Sequence, residues 1–572
     1  LAVITIKRKE MIKRYKWLIG VTMITLTTFA CKKDLLDVKP IDFVSDAAVF
    51  QDINLTNQFV NDIYGSLLSG FERRDFGWND GWASGFALLD MMTDDIEGHN
   101  DLPMNLVHQG DLNPQFSIGT QMWAANYTLI RKANTLISRI DNVPTTNTAL
   151  RDRLKAEAKF LRAFAYAELI KAFGGVPLII KEQGVNDDLE VARNTYKEVV
   201  DFIVAECDEA AAVLSPTYQD ASLGRATKGA ALALKARTLL YYASPLNNPS
   251  NENARWDEAA KAAQKVMELS PSVYRLHSDY YQLFMAKAGN PEVIFAKKFA
   301  RPGATHQTAW MLHMSIAPNP WGAWGAFHAT QNLVDSYEMK NGLMPDEAGS
   351  GYDEQDPYAN RDSRLDKSLI RNGSQFKGFT VGTFQSADLA AHPDGNANER
   401  TNGDRTKTGY GLRKFIDDRY LTGDAVYQGG DNDWIYMRYA EVLLNYAEAR
   451  NEATGPDATV FDALDEVRLR SNQPALPRTL GQVALREKIR NERRVELSFE
   501  EHRVYDVRRW KLGMTYFNGP IYRMNIIKNA NGTLTHNRRA VLENRVYKEN
   551  YNLFPIPQIE RERNRKLTQN DY

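Results

Sequence analysis

Residues 319–328 read NPWGAWGAFH, which puts Trp321 and Trp324 among Pro320, Gly322, Ala323 and Gly325. Glycine and proline punctuate loops, and loops run over surfaces. Two indoles in such a setting are positioned to stack on a flat, partly apolar ligand. A second aromatic stretch, FERRDFGWNDGW at 71–82, supplies Trp78 and Trp82 with Asn79 and Asp80 beside them. Trp310 and His306 lie just upstream of the first stretch. The competing reading of every one of these rings is a plug that fixes its loop to the scaffold.

Residue types that do covalent or acid–base chemistry form no such group. No G-x-S-x-G, H-E-x-x-H, P-loop or Rossmann fingerprint occurs, and the 9 histidines are scattered. A glycosidase needs two carboxyl groups facing each other across a cleft. The adjacent pairs Asp94–Asp95 and Glu500–Glu501 are chain neighbours that point apart, and they read as solvated or capping acids. The loop DGNANERTNGD at 394–404 is rich in oxygen donors, but it lacks the glycine and terminal glutamate of an EF-hand, so no cofactor is expected beyond a structural calcium there. The expectation is a binding protein and not an enzyme.

Composition agrees. Lysine plus arginine number 71 against 72 acids, which leaves no electrostatic footprint for nucleic acid. The 2 cysteines, Cys31 and Cys207, make neither a disulfide framework nor a zinc set. Cys207 lies in a helical pattern and reads as a small buried hydrophobe. Cys31 ends a run that starts at Met11: Lys13, Arg14 and Lys16, then an uncharged stretch from Trp17 to Ala30. The apolar stretch is too short to span a bilayer and suits a signal sequence. It resembles a bacterial lipoprotein signal with Cys31 as the lipidated residue, although Thr28 and Phe29 depart from the usual box. Residues 1–30 are therefore expected to be a signal peptide starting at Met11, with 31–572 as one domain. Asp34 after two lysines resembles the acidic surface-export tag of Bacteroidetes lipoproteins.

The elements that must hold these loops are mainly helical by periodicity. Amphipathic helices are expected over 54–69, 121–141, 154–173, 195–214 (with Thr195 as N-cap), 227–243, 256–269, 434–452 and 457–471. Gly174–Gly175 and Pro177 end the third. The alanine-rich 227–243 and 256–269 let two backbones approach closely. Such pairs look like degenerate tetratricopeptide hairpins. Between them, 290–330 and 340–433 are long irregular regions, expected to lay short strands and turns on one face of the scaffold.

Four stretches together carry a family resemblance: KAEAKFLRAFAYAELIKAFGGVPLI, IYMRYAEVLLNYAEARN, LREKIRNERRVELSFEEHRVYDVRRW and the tail NLFPIPQIERERNRKLTQNDY. In this order they resemble the SusD/RagB family of Bacteroidetes outer-membrane lipoproteins. The resemblance implies four tetratricopeptide-like helix pairs with loops and short strands as the ligand face, an N-terminal region of about 31–250 and a C-terminal region of about 290–572. It implies a surface-exposed, lipid-anchored outer-membrane protein. Its role would be to grip oligosaccharide for a TonB-dependent SusC-like barrel; a peptide-importer subunit is the alternative, and a tetratricopeptide scaffold for protein partners a weaker one. It also implies that ligand-facing aromatics come from loops before QNLVDSYEMKNG (331–342) and after the first helices, which points to Trp310, Trp321, Trp324, His306, Trp78 and Trp82, with Asn79 and Asp80. A tryptophan laid on a sugar buries its C–H face while amides and carboxylates read the hydroxyl rim.

The third stretch alternates charge along a helix. Arg493/Glu496 and Arg503/Asp506 stand three apart, so local pairs are expected within a partly buried ion network that fixes the helix to its neighbours.

Overall fold

The structure is a computed structural model and describes residues 46–73, 89–98, 105–184, 186–301, 303–306, 327–376, 379–386, 406–417 and 430–572. The helical reading holds across it. Helix α1 spans Ile53–Gly65, α2 Ser117–Arg139, α3 Thr148–Phe173, α4 Tyr196–Val213, α5 Lys228–Ala243 and α6 Asn253–Met267. Helix α7 spans Tyr439–Thr454, α8 Ala458–Arg470, α9 Gln482–Glu496 and the short α10 Arg503–Arg509. Consecutive helices from α2 to α8 pack in series, and α9 returns against α7.

Local chemistry sets the boundaries. Thr195 accepts from the Glu198 amide while the Glu198 carboxylate accepts from the Thr195 amide, which closes a capping box on α4. Helix α3 stops at Phe173 because Gly174 adopts φ +75°, a conformation that favours glycine. Ala230, Ala231, Ala233 and Ala236 of α5 are buried, as are Ala259, Ala260, Ala262 and Ala263 of α6, so small side chains let these two helices pack closely. Cys207 is 1% exposed in α4, and burial pushes its thiol pKa upward.

One expected helix begins differently. Residues Trp434–Arg438 form a strand, with every residue buried, and α7 starts only at Tyr439. The strand pairs antiparallel with Val293–Lys297, a partner that is local in space and remote in sequence. A short apolar run is ambiguous by periodicity, and a distant strand decided it. With β1 as Ile96–Gly98, β2 as Val293–Lys297 and β3 as Phe327–Ala329, this strand is β4. The segment 268–438, with its short strands and turns, is thus inserted between α6 and α7, which still pack as a pair. The sequence reading also passed over a long hairpin: β5 (Gly519–Lys528) pairs with β6 (Leu534–Arg545). Asn531-Gly532 marks its turn, with Gly532 at φ +84°.

The charged stretch is an ion network, but apart from three-apart pairs such as Arg509–Asp506 and Arg490–Glu487 its partners are not local. Glu496 accepts from Arg438 Nη1 at 2.6 Å, Arg470 Nη2 at 2.5 Å and Arg364 Nη1 at 2.9 Å. Arg493 holds Asp506 at 2.9 Å, and Arg503 reaches Asp94 at 3.0 Å, so neither expected three-apart pair forms. The acids read as solvated are buried. Asp94 and Asp95 face Arg494, Glu500 accepts from Arg438 and Lys414, and Glu501 takes both Arg73 nitrogens at 2.5 and 2.6 Å. Phe499 and Glu501 adopt positive φ (62° and 61°), and this tight turn aims Glu500 and Glu501 at different cations.

Removing one partner of such a web leaves a charge buried without compensation. Arg438→Ala should therefore cost about 3–5 kcal/mol in a urea unfolding titration, well above an ordinary surface change. The web also sets a pH response. Burial opposes the charged form of Glu448, but Arg509, Arg493 and the Trp510 N–H outweigh it and hold its pKa at about 2. A depressed carboxyl contributes stability that is present above its unfolded value near 4.5 and lost as pH falls toward 2. Glu496 and Glu500 are shifted the same way, whereas burial raises Asp90 and Asp95 and offsets part of the effect. Thermal midpoints should drop as pH falls from about 5 to about 3, and Glu448→Gln should lower the neutral-pH midpoint while flattening that slope.

Candidate functional site

The two tryptophan-bearing stretches leave the described structure at neighbouring points. The Phe71 ring, at the start of the 71–82 stretch, stacks on His306 with centroids 4.5 Å apart. His306 is the residue before 307–326, which carries Trp310, Trp321 and Trp324, and Arg73 precedes 74–88, which carries Trp78, Asn79, Asp80 and Trp82. His306 also exchanges two backbone hydrogen bonds with Gly430, each 3.0 Å, at the return of the segment 418–429. Three segments thus converge on one aromatic anchor.

That anchor is tightly packed. Phe71 meets Trp434 at 5.0 Å and Phe415 at 5.5 Å, both edge to face, and Phe299 meets His306 at 4.9 Å. Such contacts contribute about 0.5–1.5 kcal/mol each beyond area burial. Arg73, 2% exposed and bonded to Glu501, ties the start of the 71–82 stretch to the ion web. His306 itself is 1% exposed. It therefore belongs to the base of the loops and not to a ligand face, because the aromatic cluster and the Gly430 bridge enclose its ring.

The far end of 307–326 is fixed by a strand pair. Strand β1 pairs with β3 so that Gly98, the last residue before 99–104, stands opposite Phe327, the first after 307–326. Glu97 of β1 meets His108, Glu543 and Arg545. Arg545 donates to Glu97 and Glu543, both at 2.6 Å, and to the Ile96 carbonyl at 3.0 Å. Burial and the Arg545 charge lower the His108 pKa to about 3, so its ring is neutral near pH 7.

The remaining candidates, Cys31, Trp78, Asn79, Asp80, Trp82, Trp310, Trp321 and Trp324, lie outside the described residues, as do the leader and the oxygen-rich loop 394–404. Sequence reasoning did not single out a cleft of about 840 Å³. Asp94, Arg494 and Arg503 line it together with Tyr516, Asn518 and Tyr522, while Met344, Asp346 and Glu487 also contribute. It shares no lining residue with the aromatic anchor. Its signal was faint in the sequence, since it joins one face of α9 to a turn and a strand that are far away in the chain.

A model described as the SusD family matches residues 291–572, and one described as starch-binding associating with outer membrane matches 79–240. The chain belongs to the SusD/RagB family. Among SusD-like relatives, SusD-like protein P2 of Formosa agariphila is 25% identical over 528 residues, covering 89% of this chain and 92% of the relative. A solved SusD-like protein from Bacteroides fragilis superposes with a TM-score of 0.75 at 28% identity, covering 93% of this chain and all of that one. A second B. fragilis structure, described as a SusD-like carbohydrate binding protein, gives 0.76 at 24% identity, with 91% and 99% covered. The SusD-like fold expected from the four stretches is therefore the fold observed.

The anchor can be tested without any ligand. A Cβ on Gly70 would lie 2.3 Å from Trp434 Cη2, and one on Gly430 would lie 2.1 Å from His306 Cε1. Gly70→Ala and Gly430→Ala should each cost about 1–3 kcal/mol by forcing a ring off its packing. Near-UV circular dichroism should report the disturbed aromatic cluster, and an unchanged spectrum and midpoint would argue against this packing.

Proposed function

We propose that this SusD-like protein is a non-catalytic binding subunit that grips an oligosaccharide on its loop face and hands it to a TonB-dependent SusC-like barrel. The observation that carries the reading is the convergence of the stems. Phe71 on His306 brings the entries of the two tryptophan-bearing segments together on the described scaffold, and β1 on β3 fixes the exit of 307–326. A relative described as a carbohydrate binding protein and a family model described as starch-binding are consistent with a sugar ligand. Stacking suits that ligand because a ring face covers the apolar C–H surface while polar neighbours reach the hydroxyls.

The test is titration with oligosaccharides. Trp321→Ala combined with Trp324→Ala should weaken binding about 10-fold or more, which corresponds to about 1.4 kcal/mol per tenfold. Stability should change by no more than about 1 kcal/mol if the rings serve the ligand. If they plug the loop, each should instead cost about 3–5 kcal/mol and binding should follow unfolding. Binding of peptides in place of sugars would turn the reading toward a peptide importer. New reducing ends released from the bound glycan would overturn the non-catalytic assignment.

Cys31 is the proposed lipid anchor, motivated by the charged, short apolar run before it. One acyl chain binds a membrane only marginally, and several chains bind stably. Cys31→Ala should release the protein from the outer-membrane fraction of cells lacking the barrel, and metabolic labelling with a fatty acid should be lost.

A further inference from the structure

Glu97, His108 and Glu543 come from three separate elements: β1, a helical turn at Asn105–His108, and β6. One donor atom of each lies within 4.8 Å of the others, and His108 Nδ1 stands 3.7 Å from Glu543 Oε1. The other ring nitrogen, Nε2, faces the Met91 carbonyl. A carbonyl only accepts, so Nε2 carries a proton and Nδ1 is the ring nitrogen turned toward the carboxylates. That Nδ1 is buried without a hydrogen-bond partner, and the His108 side chain is 5% exposed. The Glu543 oxygen nearest to Nδ1, Oε1, already accepts from Arg545 Nε.

We propose that these three residues form a site for a divalent transition-metal ion of the zinc class. Donors about 2.1 Å from zinc in a tetrahedron stand roughly 3.4 Å apart, so the three need only small side-chain movements to close on an ion. One imidazole nitrogen and two carboxylates favour zinc-like ions over calcium or magnesium, which take oxygen. The surroundings are built to orient the ligands. The Met91 carbonyl fixes the imidazole, and Arg545 holds one oxygen of each carboxylate at 2.6 Å while it is itself bonded to the Ile96 carbonyl. The backbone holds the register: the Val546 amide donates to the His108 carbonyl. Glu543, 33% exposed, gives the ion an entry side. Lys407 Nζ lies 3.3 Å from Glu97 Oε1 and is the cation that an entering ion would displace. With Arg545 and Lys407 already balancing the carboxylates, the affinity should be moderate, with Kd in the micromolar range. A bound ion would tie β1, the turn at Asn105–His108 and the end of β6 together.

The experiment is calorimetric titration of chelator-treated full-length protein with ZnCl2, with CaCl2 as the comparison. One equivalent of zinc should bind saturably and calcium should not. Glu97→Gln and Glu543→Gln should each weaken zinc binding at least tenfold, with folding checked by circular dichroism. Lys407→Gln should tighten it about threefold or more by removing a competing charge. Co²⁺ on the unmutated protein should give visible ligand-field bands, which His108→Gln should abolish; this signature separates the site from the other histidines. Absence of saturable heat up to about 1 mM zinc, absence of the cobalt bands, or zinc affinity unchanged in both folded glutamine variants would each overturn the proposal. Calcium binding in place of zinc would also overturn it.

Discussion

Glu496 sits fully buried among three guanidinium groups, and much of the molecule is arranged to keep that carboxylate satisfied. Its partners come from three places: Arg438 at the end of β4, Arg470 at the end of α8, and Arg364 in the inserted segment. The web continues through Glu492 to Arg468 and Glu338, and through Glu500 to Lys414. Each ion is costly to strip of water, and the mutual attraction returns that cost only when every partner is in place. The web therefore adds little to net stability as a whole yet penalises any register in which one member is misplaced. It ties the segment 268–438 to the helices around it.

This explains how a long irregular insertion can present loops in a defined place. Glu292, Glu338, Arg364 and Lys414 belong to the insertion, and each bonds to an ion of the helical body or its turns. Arg73 extends the same logic to the first tryptophan-bearing stretch, because its partner Glu501 belongs to the turn that also holds Glu500. The aromatic anchor then adds shape to charge: Phe71, His306, Phe415 and Trp434 fill the base so closely that glycine is required at 70 and 430. A ligand that docks on loops gains affinity when their bases are already ordered, since less conformational entropy is lost on binding.

The cleft of about 840 Å³ beside α9 has a different character. Its lining charges are largely paired, as in Asp94 with Arg494 and Arg503, and Tyr516 has the Arg503 guanidinium over its ring at 4.6 Å. A charged ligand entering there would have to compete with pairs already formed. The same web that fixes the insertion thus makes this surface polar and electrically balanced.

The sequence by itself determined the local and repetitive features. Apolar spacing marks the helices, Thr195 with Glu198 caps α4, Gly174 ends α3, and alanines mark the close crossing of α5 and α6. These depend on residues within a few positions of one another, so a linear reading reaches them. The alternating charges of 490–509 were equally legible as a buried network. Tertiary structure alone decided its pairings: Arg493 chose Asp506, Glu496 chose three distant arginines, and Asp94, Asp95, Glu500 and Glu501 turned inward from the solvent positions expected of them. A charge pairs with whatever the fold brings within reach, and that distance is invisible along the chain. For the same reason Trp434–Arg438 became a strand only because Val293–Lys297 lay beside it, and His306 became a foundation because Phe71 and Gly430 closed over it.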